Sequence, residues 1–166
     1  MALETLVAGY YSHTYNSVAT GITREGYRLE QQVREELVDE TDLYGNSIID
    51  FVYRGGNVYL EYLSKAYKAG AITPFWPWGA LGEMFATATP IGRLASAVAA
   101  AAVLTATANT PAATSPATLT GTKAILAPGQ SGSLSYNSKI REVPTRLILL
   151  PYDTGSNGSI RWFAMT

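Results

Sequence analysis

From Leu94 to Thr122 the chain carries no charged side chain. The tract reads LASAVAAAAVLTATANTPAATSPATLTGT, and only Glu83 and Arg93 interrupt the wider stretch that begins at Ala69. Charged residues make up 15% of the whole chain, against about a quarter in an ordinary soluble domain. A surface so poor in charge has to be covered, by the rest of the fold, by other copies of the chain or by a partner. The tract therefore points toward an assembly protein before it points toward an enzyme.

The 166 residues suit one domain, 1–166, with enough length for a hydrophobic core. Net charge is −1, so strong nucleic-acid binding by phosphate neutralisation is disfavoured. The chain has no cysteine, which removes disulfides, thiolate metal sites and cysteine nucleophiles. His13 is the only histidine. A catalytic pair with a neighbouring hydroxyl would need an orienting acid that the sequence does not supply, so His13 reads as a surface or strand histidine. The start MALETLVAGYYSH lacks the basic and apolar regions of a signal peptide, and the longest apolar run, Leu94–Leu104, is too short to span a bilayer. The expectation is a soluble protein made in a cytoplasm, without a membrane.

Periodicity predicts mostly strands. Ser47–Arg54 and Asn57–Ser64 are rich in β-branched and aromatic residues, and Gly55-Gly56 between them predicts a tight hairpin. Thr118–Ala127, Ser131–Asn137, Thr145–Leu150 and Ser159–Met165 are further strand candidates, separated by the turn signals Pro128-Gly129 and Asp153–Gly158. Tyr27–Val38 is ambiguous. Leu29, Val33 and Leu37 suit a narrow helical face, whereas strict alternation sets them opposite Arg28, Glu30, Gln32, Arg34 and Glu36 as in a strand. Helix is the reading for Lys65–Ala69 and Met84–Ala102, with Leu94–Ala102 open as either helix or the start of a strand. The class is mainly β: an antiparallel sandwich or barrel flanked by one or two short helices.

No phosphate-binding glycine motif and no nucleophile elbow occurs in the sequence. The acids Glu35, Glu36, Asp39, Glu40 and Asp42 lack the glycine and closing glutamate of a calcium loop, so they read as a solvated or electrostatic surface. Phe75, Trp76 and Trp78, in ITPFWPWG, form either a buried corner or a subunit contact. Lys139, Arg141 and Arg146 form a small basic group. It is either a solvated turn or the complement of an acidic loop on the next copy, as in a head-to-tail interface. No cofactor, metal site or enzymatic activity is expected.

Four stretches together resemble the tail tube (major tail) proteins of long-tailed bacteriophages. They are GITREGYRLE (Gly21–Glu30), LYGNSIIDFVYRGGNVYLEYLS (Leu43–Ser64), ITPFWPWGALGEM (Ile72–Met84) and KAILAPGQSGSLSYNSKIREVPTRLILLPYD (Lys123–Asp153). The resemblance implies a β-barrel or sandwich with a flanking helix, six copies to a ring, and rings stacked into a tube through which DNA leaves the capsid without specific binding. It implies a long strand over Tyr27–Val38, whose polar residues Glu30, Gln32, Arg34 and Glu36 are lumen candidates. An acidic wall would repel phosphate and keep passing DNA free. It places Asp39, Glu40, Asp42 and Tyr44 in a long inter-ring loop. It further implies other tail proteins as partners and a virion location after assembly in the bacterial cytoplasm. The alternatives are a capsid decoration or head–tail completion protein and, in another class, a small carbohydrate-binding module using Trp76 and Trp78.

Overall fold

The computed structural model describes residues 10–39, 48–66, 94–106, 118–129, 142–155 and 159–166. Its strands are β1 (Tyr11–Tyr15), β2 (Val18–Asp39), β3 (Ile48–Ala66), β4 (Ala100–Ala106), β5 (Thr118–Leu126), β6 (Val143–Leu149), β7 (Tyr152–Asp153), β8 (Ile160–Arg161) and β9 (Ala164–Met165), with one helical turn, α1 (Ala95–Val98). Six of them close a ring in the order β1-β2-β3-β6-β5-β4 and back to β1, and every pairing is antiparallel. The fold is a closed β-barrel, a solution that leaves its wall without free edges.

Alternation along each strand builds the core. His13 and Tyr15 of β1, Val58, Leu60, Tyr62 and Ser64 of β3, Ala102 and Leu104 of β4, and Val143, Thr145, Leu147 and Leu149 of β6 are all buried. Their chain neighbours point outward, as a period of two requires. In β5 the parity changes: Leu119 and Gly121 are buried, then Ala124. The pairs Ala102↔Gly121 and Ala100↔Ala124 set two residues of β5 against one of β4, a bulge that bends the wall. Gly121 is required there, because a Cβ would meet Leu149 Cδ2 at 2.7 Å. Across the interior the Tyr15 hydroxyl donates to the Ala124 carbonyl at 2.9 Å.

β1 and β2 are joined by Asn16 and Ser17, both at positive φ (51° and 65°), the twist a two-residue hairpin needs. The last wall strand is interrupted. β6 leaves β5 at Leu150-Pro151, where proline has no N–H to donate, and β9 returns to the same edge of β5 through Thr120↔Ala164 and Leu119↔Met165. Paired backbone bonds between Thr118 and Thr166, of 2.8 and 3.0 Å, close this seam. The excursion carries the β7–β8 hairpin and sets Trp162 and Phe163 against the core.

Several expectations are corrected. Gly55-Gly56 is not a hairpin: β3 runs straight through it. Arg34↔Gly55 and Glu35↔Tyr53 leave Arg54 as the extra residue of a bulge, with Gly55 at φ 110°. A Gly-Gly pair serves a bulge as well as a turn, and the 22-residue β2 is long enough to pair with both halves of β3. Residues 40–47, between β2 and the antiparallel β3, lie outside the described residues. Tyr27–Val38, left open by its own pattern, is strand, as the resemblance implies. The helix expected over Met84–Ala102 is reduced, among the described residues, to Ala95–Val98. Alanine's helix propensity loses from Ala100 on, because Ala102 and Leu104 face the core and the strand pairs on both sides. Lys65 and Ala66 end β3 rather than opening a helix. Ser159–Met165 is two short strands, not one. The strand candidate Ser131–Asn137 lies outside the described residues.

Candidate functional site: the ribbon and the charged barrel face

β6 pairs with β3 only over Val58–Ser64, and β1 pairs with β2 only over Val18–Ile22. Beyond Gln31↔Val58 the two long strands therefore continue as a two-stranded ribbon with no further strand beside it among the described residues. Eight residues of β2, Gln32–Asp39, give it a length of about 26 Å at about 3.3 Å per residue. One face carries Val33, Glu35 and Leu37 with Phe51 and Tyr53, whose rings meet edge-on at 5.1 Å. The other carries Arg34, Glu36 and Val38 with Asp50, Val52 and Arg54, and Arg54 pairs with Glu36. Both faces hold exposed apolar side chains: Leu37 is 51% exposed, Val52 50% and Tyr53 67%. A lone two-stranded ribbon is marginal in water. Exposed apolar groups on both faces, beside open backbone edges, make it a template for pairing or packing.

At the base of the ribbon, register aligns a charged row on the outside of the barrel. Arg28 of β2 stands opposite Glu61 of β3, and Glu61 opposite Arg146 of β6. Arg146 Nε lies 2.8 Å from Glu61 and its guanidinium 3.7 Å from Glu30, while Arg28 lies 3.7 Å from Glu61 and 3.9 Å from Glu30. The Arg146 guanidinium also covers the Tyr59 ring, 4.3 Å from its centroid. Gln32 donates to Glu30 at 2.9 Å. Two cations thus offset two carboxylates, so this part of the surface is near neutral, and each exposed pair contributes at most about 1 kcal/mol.

The lumen candidates Glu30, Gln32, Arg34 and Glu36 share one face of β2, with Glu30 at the barrel and the other three on the ribbon. Glu30 and Glu36 are each engaged by arginines, so the strip is less acidic than its sequence suggests. Arg146, expected in a basic group, is held by Glu61 and Glu30 of its own chain. Asp39 closes β2 opposite Ile48, at the tip of the ribbon. Glu40, Asp42, Tyr44, Phe75, Trp76, Trp78, Lys139 and Arg141 lie outside the described residues. Sequence reasoning passed over Glu61 and Tyr59. Their outward phase in NVYLEYLS was the available signal, but pairing with Arg28 and Arg146 becomes visible only with the register.

His13 is not a surface residue: it is 1% exposed. Its Nδ1 contacts the Thr20 hydroxyl, which itself donates to the His13 carbonyl at 3.0 Å. Thr20 Oγ1 therefore accepts from Nδ1–H, and Nε2 accepts from the Ser64 hydroxyl at 3.1 Å. The Tyr62 ring packs 4.7 Å away. Burial drives the His13 pKa down to about 4, against a smaller upward pull from a backbone hydrogen bond with Ile22. Burial likewise pushes the Tyr62 phenol up. Since Ser64 is also fully buried, a substrate has no path to this serine–histidine pair. The trio is a structural polar cluster tying β1, β2 and β3 together.

Among the described residues no group of three or more His, Cys, Asp or Glu side chains could hold a metal ion, and no helix is long and apolar enough to cross a membrane. No protein-family model matches the sequence, and no curated protein matches it.

Proposed function

We propose that this chain is a structural subunit of a bacteriophage virion, the building block of a ring-stacked tail tube that guides DNA into the host. The observation that carries the proposal is the ribbon. A closed barrel needs no partner for its wall, yet here about 26 Å of it extends as two strands with no further strand beside them among the described residues and apolar residues on both faces. Such an element is stable when other copies cover it. The four sequence stretches resembling tail tube proteins supply the identity of the assembly, six copies to a ring and ring upon ring.

In this function the protein works by polymerising rather than by chemistry. Neighbouring copies bury the ribbon, and the reward is apolar area removed from water at about 25 cal/mol per Å². The ribbon strands, Gln32–Asp39 and Ile48–Asn57, hold four acids (Glu35, Glu36, Asp39, Asp50) and two bases (Arg34, Arg54). That excess of negative charge suits a wall that DNA must pass without sticking. Other tail proteins would bound the tube at its ends.

Negative-stain microscopy of the purified chain tests the proposal. Hollow tubes or stacked rings are the expected result. A chain that stays monomeric by light scattering at high concentration, with no rings on the grid, overturns it.

A further inference from the structure

The two faces of the ribbon differ in what can cover them. One holds four charges, Arg34, Glu36, Asp50 and Arg54, and suits water. The other holds Val33, Leu37, Phe51 and Tyr53, all exposed, and a single charge, Glu35. Among the described residues no cation pairs with Glu35. A carboxylate covered without a partner loses its hydration for nothing. Whatever buries this apolar face must therefore be neutral except for one cation.

The barrel wall carries such a surface. β4 and β5 hold one charged residue between them, Lys123. Thr118 and Thr120 of β5 stand opposite Thr105 and Val103 of β4, an outward row of methyl and hydroxyl groups that is at least partly exposed. On the β6 side the partly exposed Ile148 continues the uncharged surface. Lys123 lies between, itself partly exposed, and no described carboxylate pairs with it. Elsewhere Arg24, Arg28, Arg54 and Arg146 are each held by a carboxylate of their own chain. Of the other described cations, only Lys123 stands amid an uncharged strand pair. The dimensions agree as well: Thr118 to Lys123 spans about 17 Å, and Val33 to Leu37 about 13 Å.

We infer that the apolar face of the ribbon docks on the β4–β5 wall of a second copy, with Glu35 of one copy bridged to Lys123 of the next. The inference rests on the assembly proposed above and names the two surfaces through which copy meets copy. Because the surfaces differ, the contact is head-to-tail, the arrangement that closes into a ring. Apolar burial drives the contact. The ion pair fixes its position, since a copy shifted along the wall would leave both charges covered and unpaired.

Cross-linking tests this in a chain with no cysteine of its own. Glu35→Cys and Lys123→Cys chains, with different tags, are mixed at high concentration and treated with a short bis-maleimide. The expected product is the mixed dimer, with little like-with-like dimer from either variant alone. Independently, Glu35→Lys or Lys123→Glu should raise the concentration needed for assembly about fivefold, as for a surface ion pair, and the two reversals in one chain should restore it. Both positions are at least partly exposed, so the variants keep the fold, which circular dichroism checks. The inference is overturned by absence of the mixed dimer, by Glu35→Cys dimers as abundant as mixed ones, or by a double reversal that restores nothing. Micrographs of the native chain are scored separately. Tubes without the mixed dimer remove this contact alone, whereas the mixed dimer without tubes keeps the contact and removes the tube.

Discussion

The buried histidine makes this barrel sensitive to mild acid. In the fold His13 is neutral, its Nδ1 donating to Thr20 and its Nε2 accepting from Ser64, and its pKa is about 4 against 6.5 for the free side chain. The unfolded chain therefore binds a proton at a pH where the folded chain does not. Stability from this group is complete above pH 6.5, falls as the pH drops toward 4, and levels off below that. At about 1.36 kcal/mol per pH unit the loss amounts to about 3 kcal/mol, a large share of the 5–15 kcal/mol typical of a domain. In urea melts followed by circular dichroism on dilute protein, with a slope of about 2 kcal/mol per molar, the midpoint should fall by about 1.5 M between pH 7 and pH 4. Carboxylates in the surface ion pairs add their own losses at the acid end, so His13→Gln is the reference: it cannot titrate, and its midpoint should fall less over the same range. His13 is the only histidine, so its imidazole proton signals can be followed by NMR without assignment and should titrate near 4. Parallel pH profiles for the native chain and His13→Gln, or an NMR midpoint near 6.5, would refute the account of a sealed imidazole.

Other outcomes follow from single contacts. Gly121→Ala should cost about 1–3 kcal/mol, because its methyl would overlap Leu149 in a closed interior; adding Leu149→Val should recover part of that in a double-mutant cycle of urea midpoints. Ser17→Gly should stabilise by about 0.5–1 kcal/mol, since Ser17 sits at φ 65° where glycine carries no steric penalty; an unchanged melting temperature would show that the turn is already relaxed. Leu37→Ser with Tyr53→Ser should leave the thermal midpoint of the barrel nearly unchanged, as both side chains are exposed, but abolish tubes in micrographs. Neutralising Asp39, Glu40 and Asp42 together is expected to weaken ring stacking, and undiminished tube length would remove that loop from the inter-ring contact.

Much of the barrel was legible because alternation is a local signal. Thr145–Leu150 shows its inward residues directly, and the structure keeps both it and Thr118–Ala127 nearly within those bounds, although the β5 bulge shifts the inward parity after Gly121. What local pattern could not convey was register. Gly55-Gly56 reads as a hairpin turn, and only the pairing of β2 on both sides of it shows a bulge instead. Glu61 reads as an ordinary surface acid until pairing sets it between Arg28 and Arg146. His13 reads as a surface or strand histidine; it is a strand residue, but its burial depends on the partners Thr20 and Ser64, 7 and 51 residues away.

The charge-free tract follows the same logic. Where it is described, Leu94–Ala106 and Thr118–Thr122, its inward residues Ala102, Leu104, Leu119 and Gly121 are covered by the barrel's own core, so the neutrality of these residues needs no second copy. The outward residues are different. Ala101, Val103 and Thr105 on β4 and Thr118, Thr120 and Thr122 on β5 lie side by side across one pairing and include no charge. Core packing places no demand on that outer face, and solubility would favour charge there. In the proposed assembly, contact with a neighbour would give that neutrality a reason, and the ribbon, apolar on both faces and with no further strand beside it among the described residues, has the complementary need. Placing Glu at Val103, or Lys at Thr120, should therefore impair assembly while leaving the fold intact, since neither side chain points into the core.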